Sequence, residues 1–466
     1  MYTETGRTPA RPATAPGPLS SGRLSRRRFL AATSLATFAW ATGGCRNEER
    51  TGPLAVWSIW PRDPGMPISG LWERLGRALP TIPIEAGTVS TAELKEKLLG
   101  AVQERSLPDI FLLNSAWLRE LGGGANLADL GELARADGLD PAALLVEHDH
   151  RRCLSGETLL CLPATSARAT SLLFTNKRLL TRFGLAVPGR FANWAEFTAA
   201  ACEWVAKANP NGTLEYIALD PFMGPGMVIH TSLALGIGAP TVSADGRRSQ
   251  LASEGALRVA RELDRFVEVV YGRLGGYRAL LQFRFRFTGQ HRQPAFYALP
   301  FGRSFANISA AGTLGVYQQL GVSPAELMLQ PVPGLDRLHG GILSHGWSYA
   351  ISRHSARRAE AWRVLRYLTL EPEGAGRFCL DYRRPAHLRA IGDADYYKVA
   401  GDAWNGVREA MALDIPYPAA SEDEFLRFHL FTVPMRRLQG ESIEAIFQDL
   451  HAKYQSYLDA GSRAFL

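Results

Sequence analysis

Leu54-Ala55-Val56-Trp57-Ser58-Ile59-Trp60 opens the stretch that decides the fold. It is an apolar run of strand length, and the chain beyond it alternates such runs with amphipathic segments. Leu71 to Leu79 has helical spacing, and Ile82 to Ala86 is strand-like. Thr91 to Glu104 reads as a helix with Leu94, Leu98 and Val102 on one face. Asp109-Ile110-Phe111-Leu112-Leu113, ended by Asn114-Ser115, reads as a buried strand. Strand, helix, strand, helix, strand in that order predicts a parallel sheet with covering helices.

A second α/β stretch begins near Ala169. Ser171-Leu172-Leu173-Phe174 is a predicted strand, and Lys177 to Phe183 a short helix stopped by Gly184. Asn193-Trp194-Ala195-Glu196 has capping-box spacing: Asn193 can accept from backbone amides while Glu196 reaches back. That helix is expected to run to about Ala208 and close at Asn209-Pro210-Asn211-Gly212. Helical periodicity also marks Ser253 to Val270, Ala359 to Leu370 and Ser442 to Leu458.

The N-terminus carries a different message. Ser25-Arg26-Arg27-Arg28-Phe29-Leu30 precedes an apolar stretch to Trp40 and then Thr42-Gly43-Gly44-Cys45. The apolar stretch is about half the roughly 20 residues that a spanning helix needs, so it reads as a removable export signal. The twin arginines resemble the Tat signal pattern, and Cys45 resembles the lipidated cysteine of bacterial lipoproteins, with Thr42 where Leu is usual. Plain cleavage leaving a free Cys45 is the alternative. Residues 1–44 hold six arginines and one glutamate, so the formal charge falls from +7 to +2 once they are removed. The basic balance therefore belongs largely to the leader, and no nucleic-acid surface is implied. Residues 45–466 are too many for one compact core and predict two lobes. Cys153, Cys161, Cys202 and Cys379 could pair in an oxidising compartment; buried free thiols are the other reading.

Several segments, in one order, resemble the extracellular solute-binding proteins of family 1, the sugar receptors of ABC importers. Ser106-Leu107-Pro108-Asp109-Ile110-Phe111 with Asn114-Ser115-Ala116-Trp117-Leu118 is similar to the family's Pro-Asp strand and aromatic turn. Gly156-Glu157-Thr158-Leu159-Leu160-Cys161-Leu162-Pro163 is similar to its hairpin ending in Leu-Pro. The segments Ser171 to Leu180, Phe183 to Pro188 and Asn193 to Phe197 resemble its strongest signature, with Thr175 where Tyr is usual and Asn193 where Thr is usual. Gly346-Trp347-Ser348-Tyr349-Ala350-Ile351-Ser352 and Gln439-Gly440-Glu441-Ser442-Ile443-Glu444-Ala445 continue the series, while Phe222 to Gln330 matches weakly.

The resemblance implies an α/β, two-lobe periplasmic-binding-protein type II fold, each lobe a mixed or parallel sheet with flanking helices, joined by a hinge. The expected division is signal and leader 1–44, tether 45–53, lobe one 54–168 plus 333–384, and lobe two 169–332 plus 385–466. It implies a monomeric receptor without cofactor, metal or enzymatic activity. Such a receptor captures a sugar in the interlobe cleft and passes it to a membrane permease, held near it by a lipid anchor. Aromatic faces cover sugar rings and fixed polar groups bond the hydroxyls, so the expected ligand residues are Trp57, Trp60, Asn114, Ser115, Trp117, Thr165, Arg168, Phe222, Arg303, Phe305 and Trp347. Ordinary packing competes for each aromatic, and Arg168 could instead pair with a carboxylate at the lobe boundary.

Other readings stay open. Arg168 and Arg303 would suit an acidic ligand, and Tyr396-Tyr397 would suit iron. Asp109, Glu147 and Glu157 could serve a glycan hydrolase, which needs two carboxylates roughly 5–10 Å apart, but none sits in a recognisable catalytic frame. Glu147-His148-Asp149-His150 beside Cys153 offers metal-ligand types, with a solvated loop as the plainer reading.

Overall fold

The computed structural model describes residues 52–60, 67–90, 93–223, 229–243, 246–342, 346–381, 383–392, 402–416, 425–426 and 429–460. The signal segment, Cys45 and Tyr396-Tyr397 lie outside them.

Two five-stranded sheets organise the chain. The first has the order β2-β1-β3-β11-β6, with β1 at Leu54–Ser58, β2 at Ile84–Thr88, β3 at Ile110–Asn114, β6 at Leu162–Pro163 and β11 at Trp347–Ile351. β1 pairs in parallel with β2 and β3, while β11 runs antiparallel between β3 and β6. The expected parallel sheet is thus mixed, because a strand returning late in the chain completes it. Between β1 and β3 the helix Leu94–Gln103 buries Leu94, Leu98 and Ala101, a spacing that keeps one stripe on the sheet. A small hairpin, β4 at Leu154–Ser155 and β5 at Thr158–Leu159, turns through Gly156 at φ 62°.

The second sheet has the order β12-β10-β9-β7-β8, with β7 at Leu172–Asn176, β8 at Ala306–Ser309, β9 at Leu327–Pro333, β10 at Leu338–Ile342 and β12 at Asp414–Pro416. Strand alternation explains its two covered faces. Leu172 and Phe174 enter one apolar cluster with Leu314, Tyr317 and Trp404, whereas Leu173 enters the other with Trp204, Phe266 and Ile308. The helix Trp194–Ala208 closes the second face. Asn193 Oδ1 accepts from Glu196 N at 3.0 Å, and Glu196 reaches back to Ala192 N at 2.8 Å, one residue before the amide expected from the spacing. On the first face the helix Asn405–Ala412 rides directly on backbone: a Cβ at Gly406 would lie 1.8 Å from Leu329 O.

The two boundaries expected at 333 and 384 both fall early. A tight turn, closed by Gly334 N donating to Arg337 O at 3.1 Å, sends β10 back onto β9, so the return to the first sheet comes between Ile342 and Trp347. Beyond 384 the chain still packs on the first body. Val146 N donates to His387 O, Leu145 bridges Leu388, and Ile391 joins the first core.

Candidate functional site

The carboxyl ends of β1, β3 and β6 share one rim of the first sheet, and β11 starts at the same rim. Because β2 and β3 flank β1 on opposite sides, the chain order reverses there, which is where open α/β sheets present a crevice. Asn114 ends β3, and its Oδ1 accepts from Ala116 N at 3.1 Å, capping the short turn Ser115–Trp117. The turn delivers Trp117 to a place 5.9 Å from Trp347, edge to face at 84°. Trp347 stands opposite Asn114 in the β3–β11 register. Ser115 fixes the junction: its N donates to Gly346 O at 3.0 Å, and its Oγ accepts from Gly346 N at 3.1 Å. Lys95 Nζ stands 5.9 Å from the Trp117 ring and 3.2 Å from Glu120 Oε2. On β1, Trp57 alternates away from the buried Val56 and Ser58 and stays half-buried, opposite Gly87 of β2. A half-buried indole anchored by its neighbours is the kind of surface that can cover the apolar face of a ring.

Two segments connect the sheets, and carboxylates hold the first of them. Residues 164–171 lead from β6 to β7, and the stretch between Ile342 and Trp347 leads from β10 to β11. At the first-sheet end, Arg152 and Asp149 form a fully buried pair, with Nε to Oδ1 at 3.0 Å. Arg152 also donates to Ser348 Oγ at 3.1 Å and to Thr165 O. Asp149 accepts from Ser166 Oγ at 2.6 Å and from Ala167 N at 2.9 Å. One ion pair therefore joins the first crossing to β11. At the second-sheet end, Asp414 Oδ2 accepts from Ala169 N at 3.3 Å and faces Arg168 Nε at 3.8 Å. Thr170 ties the first crossing to β10, its N and Oγ1 both donating to Gly341 O at 2.8 and 2.7 Å. Burial pushes the Asp414 carboxyl up to about 7, against the pull of Ala169 N and Arg168.

The expected site residues divide accordingly. Asn114, Ser115, Trp117 and Trp347 gather at the rim, Trp57 stands on β1 level with Phe111, and Thr165 and Arg168 lie on the first crossing. Thr165 is buried and contributes its carbonyl to Arg152, and Arg168 faces Asp414. Trp60 is a correction: it is buried between Tyr349 and Phe378, with ring centroids at 6.1 and 5.2 Å, because the chain dips back into the core as Trp60 N donates to Ser58 Oγ. Phe305 is another, fully buried between Trp204 and Phe183. Phe222 is buried in the second core, 6.1 Å from Tyr277, beside the Asp220–Arg284 pair whose two bonds are both 2.7 Å. Arg303 stacks 5.0 Å over Tyr216 and lies at the wrong end of its sheet. β7 enters from the crossing at Leu172, and antiparallel pairing sets Ser309 opposite Leu172. The end of β8 nearest the crossing is thus Ser309, whereas Phe305 O meets Asn176 N at the far end.

That strand direction exposes residues that sequence reasoning missed. Ser309 Oγ and Thr313 Oγ1 are 2.6 Å apart at the crossing end. A Cβ at Gly312 would lie 2.7 Å from Arg384 Cζ, so Gly312 admits a guanidinium arriving from the segment after Cys379. The run Ser309-Ala310-Ala311-Gly312-Thr313 has no aromatic to mark it; its glycine beside a strand end was the available signal.

Three of the carboxylates considered for other chemistries, Asp109, Glu147 and Asp149, are already engaged. Asp109 accepts from Ala55 N at 2.9 Å and from Ser355 Oγ at 2.5 Å. Glu147 pairs with Arg151, and both Asp149 oxygens serve the crossing clamp. No group of three or more potential metal-ligating side chains occurs among the described residues. Cys153, Cys161, Cys202 and Cys379 are free thiols, and Cys161 Sγ donates to Cys153 O at 3.9 Å.

No protein-family model matches this chain, and no curated protein does. Solved structures match over nearly the whole described length. The ABC substrate-binding protein Lmo0181 from Listeria monocytogenes, solved with cycloalternan, is 14% identical, covers 87% of this chain and 98% of its own, and has a TM-score of 0.68. The sugar-binding protein MalE of Xanthomonas citri is 18% identical, with 88% and 98% coverage and a TM-score of 0.65. UgpB from Mycobacterium tuberculosis, solved with glycerophosphocholine, is 16% identical, with 88% and 99% coverage and a TM-score of 0.65. The fold is the two-lobe periplasmic-binding-protein type II architecture.

Proposed function

We propose that this protein is the extracytoplasmic receptor of an ABC importer and captures a sugar or oligosaccharide between its two bodies. The observation that carries the reading is the paired indoles of Trp117 and Trp347 at the sheet rim, in a fold shared with sugar receptors. Lobe one comprises residues 54–163 with 347–391, and lobe two residues 172–342 with the segment around β12. The ligand favours closure by as much as it binds the closed form better than the open one. The first crossing bends while its ends stay gripped by Asp149, paired with Arg152, and by Asp414. The closed form then docks on a membrane permease. Export by the N-terminal signal and acylation at Cys45 keep the receptor close to that permease.

The same fold in UgpB accommodates a phosphodiester, so an acidic ligand is the second reading. It is the weaker one here, because Arg168 faces Asp414 and Arg303 lies at the far end of its sheet. The test is a thermal-shift and calorimetric screen over mono- and oligosaccharides with parent protein, W117A and W347A. A saturable shift in the parent that either variant loses while remaining folded supports the reading. Chemical turnover of the sugar, or full retention of binding in both variants, contradicts it.

A further inference from the structure

At the end of the second sheet remote from the crossings, a pocket of 470 Å³ opens beyond Asn176. Arg178, Arg182, Tyr216, His291, Phe301 and Arg303 line it. Two guanidinium groups stand against the Tyr216 ring, Arg303 at 5.0 Å and Arg182 at 5.6 Å from its centroid. Such cation–π contacts orient a guanidinium while leaving its N–H donors unspent. Arg178 faces Glu326 at 3.6 Å, whereas Arg182 and Arg303 have no carboxylate partner among the described residues. His291 adds a buried Nε2 without a hydrogen-bond partner, its ring tilted at 45° and 4.7 Å from Phe301. The pocket thus holds two uncompensated positive charges, an aromatic wall and an unspent imidazole nitrogen, within the volume range of small-molecule sites.

We infer that this pocket is a second binding site, separate from the cleft, for a small molecule bearing a phosphate or carboxylate group that Arg182 and Arg303 recognise. Planar guanidinium groups bind such oxyanions through paired N–H donors, which a lysine cannot reproduce. The geometry accounts for Tyr216 as the element that holds both forks ready. It also accounts for Arg303, whose position excludes it from the cleft.

The test uses the full-length protein with inorganic phosphate and citrate as probes, titrated by calorimetry against sodium chloride at matched ionic strength. Saturable heat with either oxyanion and not with chloride is expected, and the two arms distinguish phosphate from carboxylate preference. R182Q/R303Q should weaken that binding at least about tenfold, a difference of about 1.4 kcal/mol. R303K, which keeps the charge, should lose affinity as well. Binding of an oligosaccharide in the cleft should be unchanged in all variants, so failure here is distinguishable from failure of the receptor reading. Equal response to chloride, or parent-like oxyanion binding in R182Q/R303Q, overturns the inference.

Discussion

Arg152 and Asp149 show what single residues contribute. A buried pair adds little over an apolar substitute, but removing one partner strands the other charge at a cost of about 3–5 kcal/mol. R152A should therefore lower the unfolding free energy by that order in urea denaturation, with a loss below about 1 kcal/mol contradicting the clamp. Asp414 makes the opposite prediction. Its folded pKa, about 7, stands above the ordinary 3.8, so its protonated form is favoured in the fold. Stability from this group is fully present below pH 3.8 and is lost as pH rises through 7. D414N removes the charge but keeps the shape, so it should raise the melting temperature more at pH 8 than at pH 5. Equal effects at both pH values would count against burial as the cause.

Elements carry the next level. β1, β3 and β7 were legible because each is an apolar run flanked by helical periodicity. β10 was not: Leu338-His339-Gly340-Gly341-Ile342 mixes a histidine with two glycines and lacks strand chemistry. Its glycine has a packing reason, since a Cβ at Gly340 would lie 2.1 Å from Ala410 O of the helix Asn405–Ala412. Gly406 of that helix is equally constrained against Leu329 O. G406A should destabilise by about 1–3 kcal/mol or more through overpacking, measured by chemical denaturation, and a neutral effect would mean that the helix can lift off β9. The site was partly legible for the same local reason. Asn114 to Trp117 is a contiguous turn, whereas the pairing of Trp117 with Trp347 depends on a register between strands far apart in sequence. Arg303 and Phe305 were misassigned because a strand does not announce which of its ends faces the crossing.

The whole molecule carries buried neutral histidines in both bodies. Burial pulls His387, His230 and His339 down to about 4, against an ordinary 6.5. Unfolding frees them to bind protons, so stability should fall as pH drops from 6.5 to 4, with proton uptake on unfolding measurable by calorimetry in buffers of different ionisation enthalpy. His387 belongs to the first body, bonding Thr369 O at 2.9 Å, while His339 lies on β10 of the second, so neither body escapes this acid sensitivity.

Hinge closure on a carbohydrate is tested most directly by small-angle X-ray scattering of the purified protein, with and without an oligosaccharide that binds it. The radius of gyration should contract on adding the sugar, and W347A should show no contraction at the same concentration. A sugar bound at full occupancy with no change in radius, or one cleaved during the measurement, would contradict capture by closure.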